Sequence, residues 1–96
     1  MFKLINTKHP DIKLIKPEKF KDSRGYFYES FNYKDFKINS NLKVDFIQEN
    51  VSMSKYNVLR GMHYQIKYEQ IKLVRVLKGE IFDVVVDLRK KSKYFG

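Results

Sequence analysis

Ile71-Lys72-Leu73-Val74-Arg75-Val76-Leu77-Lys78-Gly79-Glu80-Ile81-Phe82-Asp83-Val84-Val85-Val86-Asp87-Leu88 is the stretch that decides the fold. Two apolar, β-branched runs, Ile71–Leu77 and Ile81–Leu88, flank Lys78-Gly79, a pair suited to a tight hairpin turn. With Leu77 opposite Glu80, Val74 lies opposite Asp83, and Lys72 shares that face one diagonal step away. The same face holds Val76, Ile81, Val85 and Asp87. The other holds Ile71, Leu73, Arg75, Leu77, Phe82, Val84, Val86 and Leu88. Both faces are largely apolar, and a strand apolar on both faces is buried on both. One face is expected to line a barrel or sandwich core. The other needs a second layer or a partner subunit, which predicts a homodimer or a tightly docked further segment.

Working outward, Val58–Gln65 reads as a strand with a glycine in its middle. Phe46–Ser54 reads as another. There Phe46, Gln48, Asn50, Ser52 and Ser54 alternate with Ile47, Glu49, Val51 and Met53, so Gln48, Asn50 and Ser52 form one polar row. Further upstream, Ile12–Pro17 is a short strand ended by proline. Lys21-Asp22-Ser23-Arg24-Gly25 is a turn by composition, and aromatic-rich Tyr26–Phe31 is a strand. Asn32 suits the cap of a short helix over Tyr33–Ile38 with Phe36 as its apolar contact, and Asn39-Ser40-Asn41 ends it. The expectation is an all-β chain with one short helix.

The 96 residues suit one domain at most, and seven Tyr and eight Phe are too many for a disordered chain. The formal charge of +9 invites a nucleic-acid reading. Only four of the twenty basic residues are Arg, however, and the lysines are scattered from Lys3 to Lys93 without a dense block. Such lysines make a solvated surface, so no nucleic-acid partner is expected. The chain has no Cys, which excludes a disulfide framework, a zinc–cysteine site and a thiol nucleophile. No apolar run approaches spanning length and Met1–Pro10 lacks a signal-peptide core, so no membrane association is expected and the chain reads as soluble and cytoplasmic.

Two His are present. His9 precedes a proline in an N-terminal loop and reads as a solvated surface residue. His63 lies in Leu59-Arg60-Gly61-Met62-His63-Tyr64-Gln65. Mid-strand glycine marks a bulge or a close approach, and Arg60 and His63 sit beside the Gln48–Asn50 row. A three-nitrogen metal site cannot be built around His63 from this chain, so the site is expected to be metal-free. No Gly-rich phosphate loop or nucleophile elbow appears, and no cofactor is expected. A neutral imidazole takes a proton near neutral pH. Lys72 or Arg60 could stabilise the oxyanion formed when a proton leaves carbon beside a carbonyl, and a further Arg could hold phosphate. Arg60 and His63 are three apart and face opposite ways on a regular strand. A shared site therefore predicts a bulge or kink at Gly61–Met62.

These motifs resemble those of the dTDP-4-dehydrorhamnose 3,5-epimerase family, cupin-type barrel proteins. Phe20-Lys-Asp22-Ser-Arg24-Gly25-Tyr-Phe27-Tyr-Glu29-Ser-Phe31 is similar to the family's F-x-D-x-R-G-x-F-x-E-x-F run. Phe46-Ile-Gln48-Glu-Asn50-Val-Ser52-Met-Ser54 resembles its F-x-Q-x-N-x-S-x-S strand, and Val58-Leu-Arg60-Gly61-Met62-His63-Tyr-Gln65 resembles V-L-R-G-L-H-x-Q. The stretch from Lys72 to Arg89 resembles K-L-V-R-V-x-x-G-E-I-F-D-V-A-V-D-x-R. The resemblance implies a cupin-type jelly-roll barrel, with residues 1–96 as the N-terminal portion of a single domain. It also implies inversion of C3 and C5 of a dTDP-4-keto-6-deoxyhexose, in deoxysugar and surface polysaccharide synthesis. By motif, His63 resembles the general base, and Arg60 and Lys72 the groups around the keto-sugar and its enolate. Arg24, Glu29, Gln48 and Asn50 resemble nucleotide and diphosphate contacts. The family's tyrosine proton donor and the carboxylate that orients its His lie in the half of the family sequence that this match does not reach. The alternative is a non-catalytic cupin-like module that binds nucleotide or dimerises.

Overall fold

The computed structural model describes residues 2–96, which divide into two compact units. One unit comprises the residues up to Lys43 together with Asp83–Gly96; the other is Val44–Phe82. All regular elements lie in the first. They are β1 (Phe2–Asn6), β2 (Lys13–Pro17), β3 (Lys19–Asp22), β4 (Gly25–Tyr28) and α1 (Tyr33–Ser40).

β1 and β2 form an antiparallel hairpin in which Phe2 pairs with Pro17 and Leu4 with Ile15. These four residues are the half-buried ones, so period-2 alternation gives the hairpin one sheltered face and one wet face. The 7–12 connection is stitched by Thr7, whose hydroxyl lies 2.7 Å from the His9 carbonyl and 2.8 Å from that of Ile12. Neither β1 nor β3 was expected from the sequence, where Lys21 and Asp22 read as part of the turn. β3 and β4 pair across Ser23-Arg24, with Phe20 opposite Phe27 and Lys19 opposite Tyr28. The Lys19 ammonium sits 4.6 Å from the Tyr26 ring centroid and 5.3 Å from that of Tyr28, a favourable cation–π arrangement.

α1 begins where Asn32 directs it. The Asn32 side-chain oxygen accepts the Asp35 N–H at 3.0 Å, satisfying an amide that the helix itself cannot. It ends at Asn41, whose φ of 55° is a left-handed cap that Asn tolerates. The helix runs two residues past the expected Ile38. Phe36 is 4% exposed and is the buried hydrophobic residue of the described chain. Its ring lies 6.2 Å from Phe2 and 5.6 Å from Phe31.

The strands expected at Phe46–Ser54, Val58–Gln65, Ile71–Leu77 and Ile81–Leu88 form no ladder among the described residues, and the hairpin across Lys78-Gly79 is therefore corrected. Gly79 does hold the positive φ of a turn, 84°. The physical reason lies in what these runs require. Apolar on both faces, they become strands only when layers cover both sides, and an isolated two-stranded hairpin is marginal in water. Here Phe82 and Ile47 are each 94% exposed. Among the described residues nothing shelters them, and the backbone remains irregular.

Candidate functional site

The sequence-derived site residues divide between the two units. Arg24 and Glu29 lie in the first, and Gln48, Asn50, Arg60, His63 and Lys72 in the second.

In the first unit, Arg24 occupies the β3–β4 turn. Its Nη2 donates to Asp22 Oδ2 at 2.7 Å, and its backbone N–H to Asp22 Oδ1 at 2.8 Å. The Arg24 side chain holds the Asp22 carboxyl below the usual carboxylate range, helped by the Arg24 backbone N–H, and Asp22 raises Arg24 in return. Glu29 accepts the Asn32 side-chain amide at 3.3 Å, beside the start of α1.

In the second unit, the polar row is directly visible as a contact. Gln48 Nε2 donates to Asn50 Oδ1 at 3.3 Å, so the two side chains lie on one side of the chain as the alternation predicted. Arg60 donates from Nε to Ser54 Oγ at 2.8 Å and from Nη2 to the Met53 carbonyl at 3.0 Å. His63 and Lys72 make no side-chain hydrogen bond or ion pair among the described residues. Gly61 has φ 113°, outside the range other residues adopt readily. A Cβ there would lie 3.5 Å from His63 Nδ1, in ordinary van der Waals contact with the imidazole. The expected irregularity at this glycine is present. It is not a bulge, because there is no ladder for it to interrupt.

His9 departs from its expected solvated state. Its ring packs against Tyr94 at 4.8 Å, Nδ1 accepts the Asp11 N–H at 3.1 Å, and Nε2 lies 2.9 Å from Asp87 Oδ2. An accepting Nδ1 leaves the donated proton on Nε2. The Asp87 side chain is 6% exposed. It also accepts Arg89 Nε and Nη2 at 2.9 Å each, the Arg89 N–H at 2.9 Å and Ser92 Oγ at 2.6 Å. Arg89 extends the network to Asp11 at 2.9 Å. With donors on both oxygens, Asp87 is a fastening rather than a free base. The sequence hid this because partner and His are 78 residues apart. The one available signal was a carboxylate, Asp87, within the apolar run Ile81–Leu88.

That fastening has a pH signature. The Arg89 guanidinium, then Ser92, then His9 hold the Asp87 carboxyl far below its ordinary 3.8. A depressed folded value means that the unfolded chain binds the proton first. The stabilisation is therefore complete above about pH 4 and is lost as acid is added below it. Asp87→Asn should release the C-terminal turn at neutral pH, raising amide exchange at Gly96, whose N–H donates to the Asp87 carbonyl at 2.9 Å. Wild type should show that release only below about pH 4. Identical Gly96 exchange in both chains at pH 7 would count against it.

By resemblance the chain falls among epimerases. It belongs to the dTDP-4-dehydrorhamnose 3,5-epimerase family, whose family model matches residues 6–96. It is 51% identical over 94 residues to the dTDP-4-dehydrorhamnose 3,5-epimerase of Shigella flexneri, a match covering 97% of this chain and 52% of the relative. The enzyme of the same name from Methanothermobacter thermautotrophicus is 52% identical over 95 residues, covering 99% and 51%. That of Mycobacterium tuberculosis is 41% identical over 83 residues, covering 85% and 41%. The chain thus spans about half the length of the first two relatives. No solved structure matches it.

Proposed function

We propose that the chain carries the base-bearing part of a nucleotide-sugar epimerase acting on a dTDP-4-keto-6-deoxyhexose. In this reading His63 removes the proton alpha to the C4 ketone. Lys72 and Arg60 stabilise the resulting enolate and neighbouring anionic oxygens, and Gln48, Asn50, Arg24 and Glu29 hold the nucleotide and diphosphate. The observation that carries it is local. Three residues from His63, Arg60 keeps a cation with no carboxylate partner among the described residues, and any side chain at Gly61 would stand in contact with the imidazole. A base close in sequence to a cation that no carboxylate neutralises is the pairing that enolisation needs.

The two hairpins are read as part of a cupin-type jelly-roll barrel, residues 1–96 being the N-terminal portion of one domain. Its remaining strands form when the exposed apolar runs gain cover, and we assign that cover to a homodimer or a docked further segment. Exposed apolar surface on this scale marks an interaction face. Sedimentation at micromolar concentration should show association, and a stable, well-folded monomer would argue against it. A chain without cysteine suits a reducing compartment, and the cytoplasm is the proposed location. Among the described residues no helix is long and apolar enough to cross a membrane.

The catalytic reading is tested by incubating the chain with the 4-keto-6-deoxy sugar nucleotide in deuterated water. Deuterium should enter at the carbons flanking the ketone faster than without protein, with little epimerised product accumulating. A chain that binds dTDP but incorporates no deuterium would favour the non-catalytic nucleotide-binding module.

A further inference from the structure

The four arginines differ in how their charge is met. Arg24 faces Asp22 at 2.7 Å, Arg75 faces Glu49 at 3.7 Å, and Arg89 faces both Asp87 and Asp11 at 2.9 Å. Arg60 alone has no carboxylate among the described residues, and its two acceptors, Ser54 Oγ and the Met53 carbonyl, are neutral.

The local backbone explains the arrangement. Val58 N–H donates to the Lys55 carbonyl at 3.3 Å, and Asn57 takes φ 64°, closing a turn over Lys55–Val58. The reversal returns the chain on itself, so that Ser54 before the turn meets Arg60 after it. A guanidinium is planar and carries five N–H donors in a fixed fork. Its Nε–H and one Nη2–H share an edge, and both atoms of that edge are engaged by Ser54 and Met53. The edge formed by Nη1 and the second Nη2–H has no protein partner among the described residues. Two parallel N–H groups of this kind match two oxygens of a phosphate or carboxylate.

We propose that Ser54 is a positioning residue for Arg60: its hydroxyl, with the Met53 carbonyl, fixes one edge of the guanidinium so that the other receives the anionic oxygens of the substrate. Fixing a long side chain beforehand removes the entropy cost of ordering it when the anion arrives. The serine adds no charge of its own, which leaves the whole cation for the ligand. The identity of the ligand rests on the epimerase reading above, but the fixing of Arg60 does not.

The test uses the isotope-labelled chain and follows the Arg60 Nε–H signal, dTDP and thymidine affinity, and deuterium wash-in. The Nε–H signal should be protected from water exchange in wild type and in Ser54→Thr, and unprotected in Ser54→Ala. Ser54→Ala should weaken dTDP about three- to tenfold, the loss of one hydrogen bond at an ionic centre, and leave thymidine, which has no phosphate, unchanged. Arg60→Ala should weaken dTDP further, and adding Ser54→Ala to it should cost nothing more, because Ser54 acts through Arg60. A Ser54→Ala loss confined to wash-in, with dTDP affinity intact, supports the same positioning role and identifies the enolate oxygen as the anion. An Nε–H signal indifferent to Ser54→Ala overturns the proposal, as does Ser54→Ala changing neither dTDP affinity nor wash-in while Arg60→Ala changes one. If wild type neither binds dTDP nor exchanges deuterium, the epimerase reading fails by itself, and the Nε–H signal still decides whether Ser54 holds Arg60.

Discussion

His63→Ala should lower protein-dependent deuterium wash-in by about 10²- to 10⁴-fold, the usual contribution of a positioned general base, while dTDP affinity changes little. The split follows from the chemistry. Proton removal needs an acceptor at the carbon beside the ketone, and no second His lies in the Val44–Phe82 unit. The other His cannot substitute, because His9 Nδ1 already accepts the Asp11 N–H and Nε2 is occupied by Asp87. His9→Gln is therefore the useful control. It should disturb the C-terminal turn and leave wash-in close to wild type. His63, by contrast, has no side-chain hydrogen bond among the described residues, so its removal opens no buried polar group and should cost little stability. Wash-in that persists undiminished in His63→Ala would show that another group takes the proton. A parallel loss of dTDP affinity would mean that His63 serves binding rather than the base step.

Short-range signals were legible in the sequence and long-range ones were not. Asn32 announces α1 because a capping side chain acts within three residues, on the Asp35 N–H. Asp22-Ser23-Arg24-Gly25 announces the β3–β4 turn for the same reason: the reversal is closed by residues two apart. Gln48 and Asn50, two apart as the sequence paired them, are in contact even though Phe46–Ser54 forms no ladder. β1 went unseen because its apolar residues, Phe2, Leu4 and Ile5, keep no clean alternation over five residues, too short a window to separate from a loop. The Ile71–Leu88 runs illustrate the opposite error. Their β-branched content was read as a hairpin, yet propensity of this kind is a preference for a covered, pleated surface. Without that cover Val85 stays 63% exposed and no ladder forms. The site residues show the same limit. The motifs nominate them by residue type and spacing, and Arg24 and Glu29 fall in one unit while Gln48, Asn50, Arg60, His63 and Lys72 fall in the other.

Phe36→Ala should cost about 3–5 kcal/mol, the range for removing a buried aromatic side chain, and should unfold the α1 region. The size of the effect comes from how little else is buried. Phe36 is 4% exposed and is the buried hydrophobic residue of the described chain, while Phe31 is 41% exposed. Its ring is the shared neighbour of Phe2 on β1 and Phe31 ahead of the helix, so truncation removes both aromatic contacts at once. Such contacts contribute beyond area burial. Folded domains are stable by only about 5–15 kcal/mol, and an eight-residue helix does not persist in water without tertiary packing. Loss of Phe36 should therefore melt α1, opening the Asn32 cap on the Asp35 N–H, and free β1–β2 from it. Phe36→Leu keeps an apolar group at the site and should cost less. Urea unfolding, with amide exchange at Asp35 as the local probe, separates the outcomes. If Phe36→Ala shifts stability by less than about 1 kcal/mol, a surface-like change, then α1 is held by contacts other than this ring.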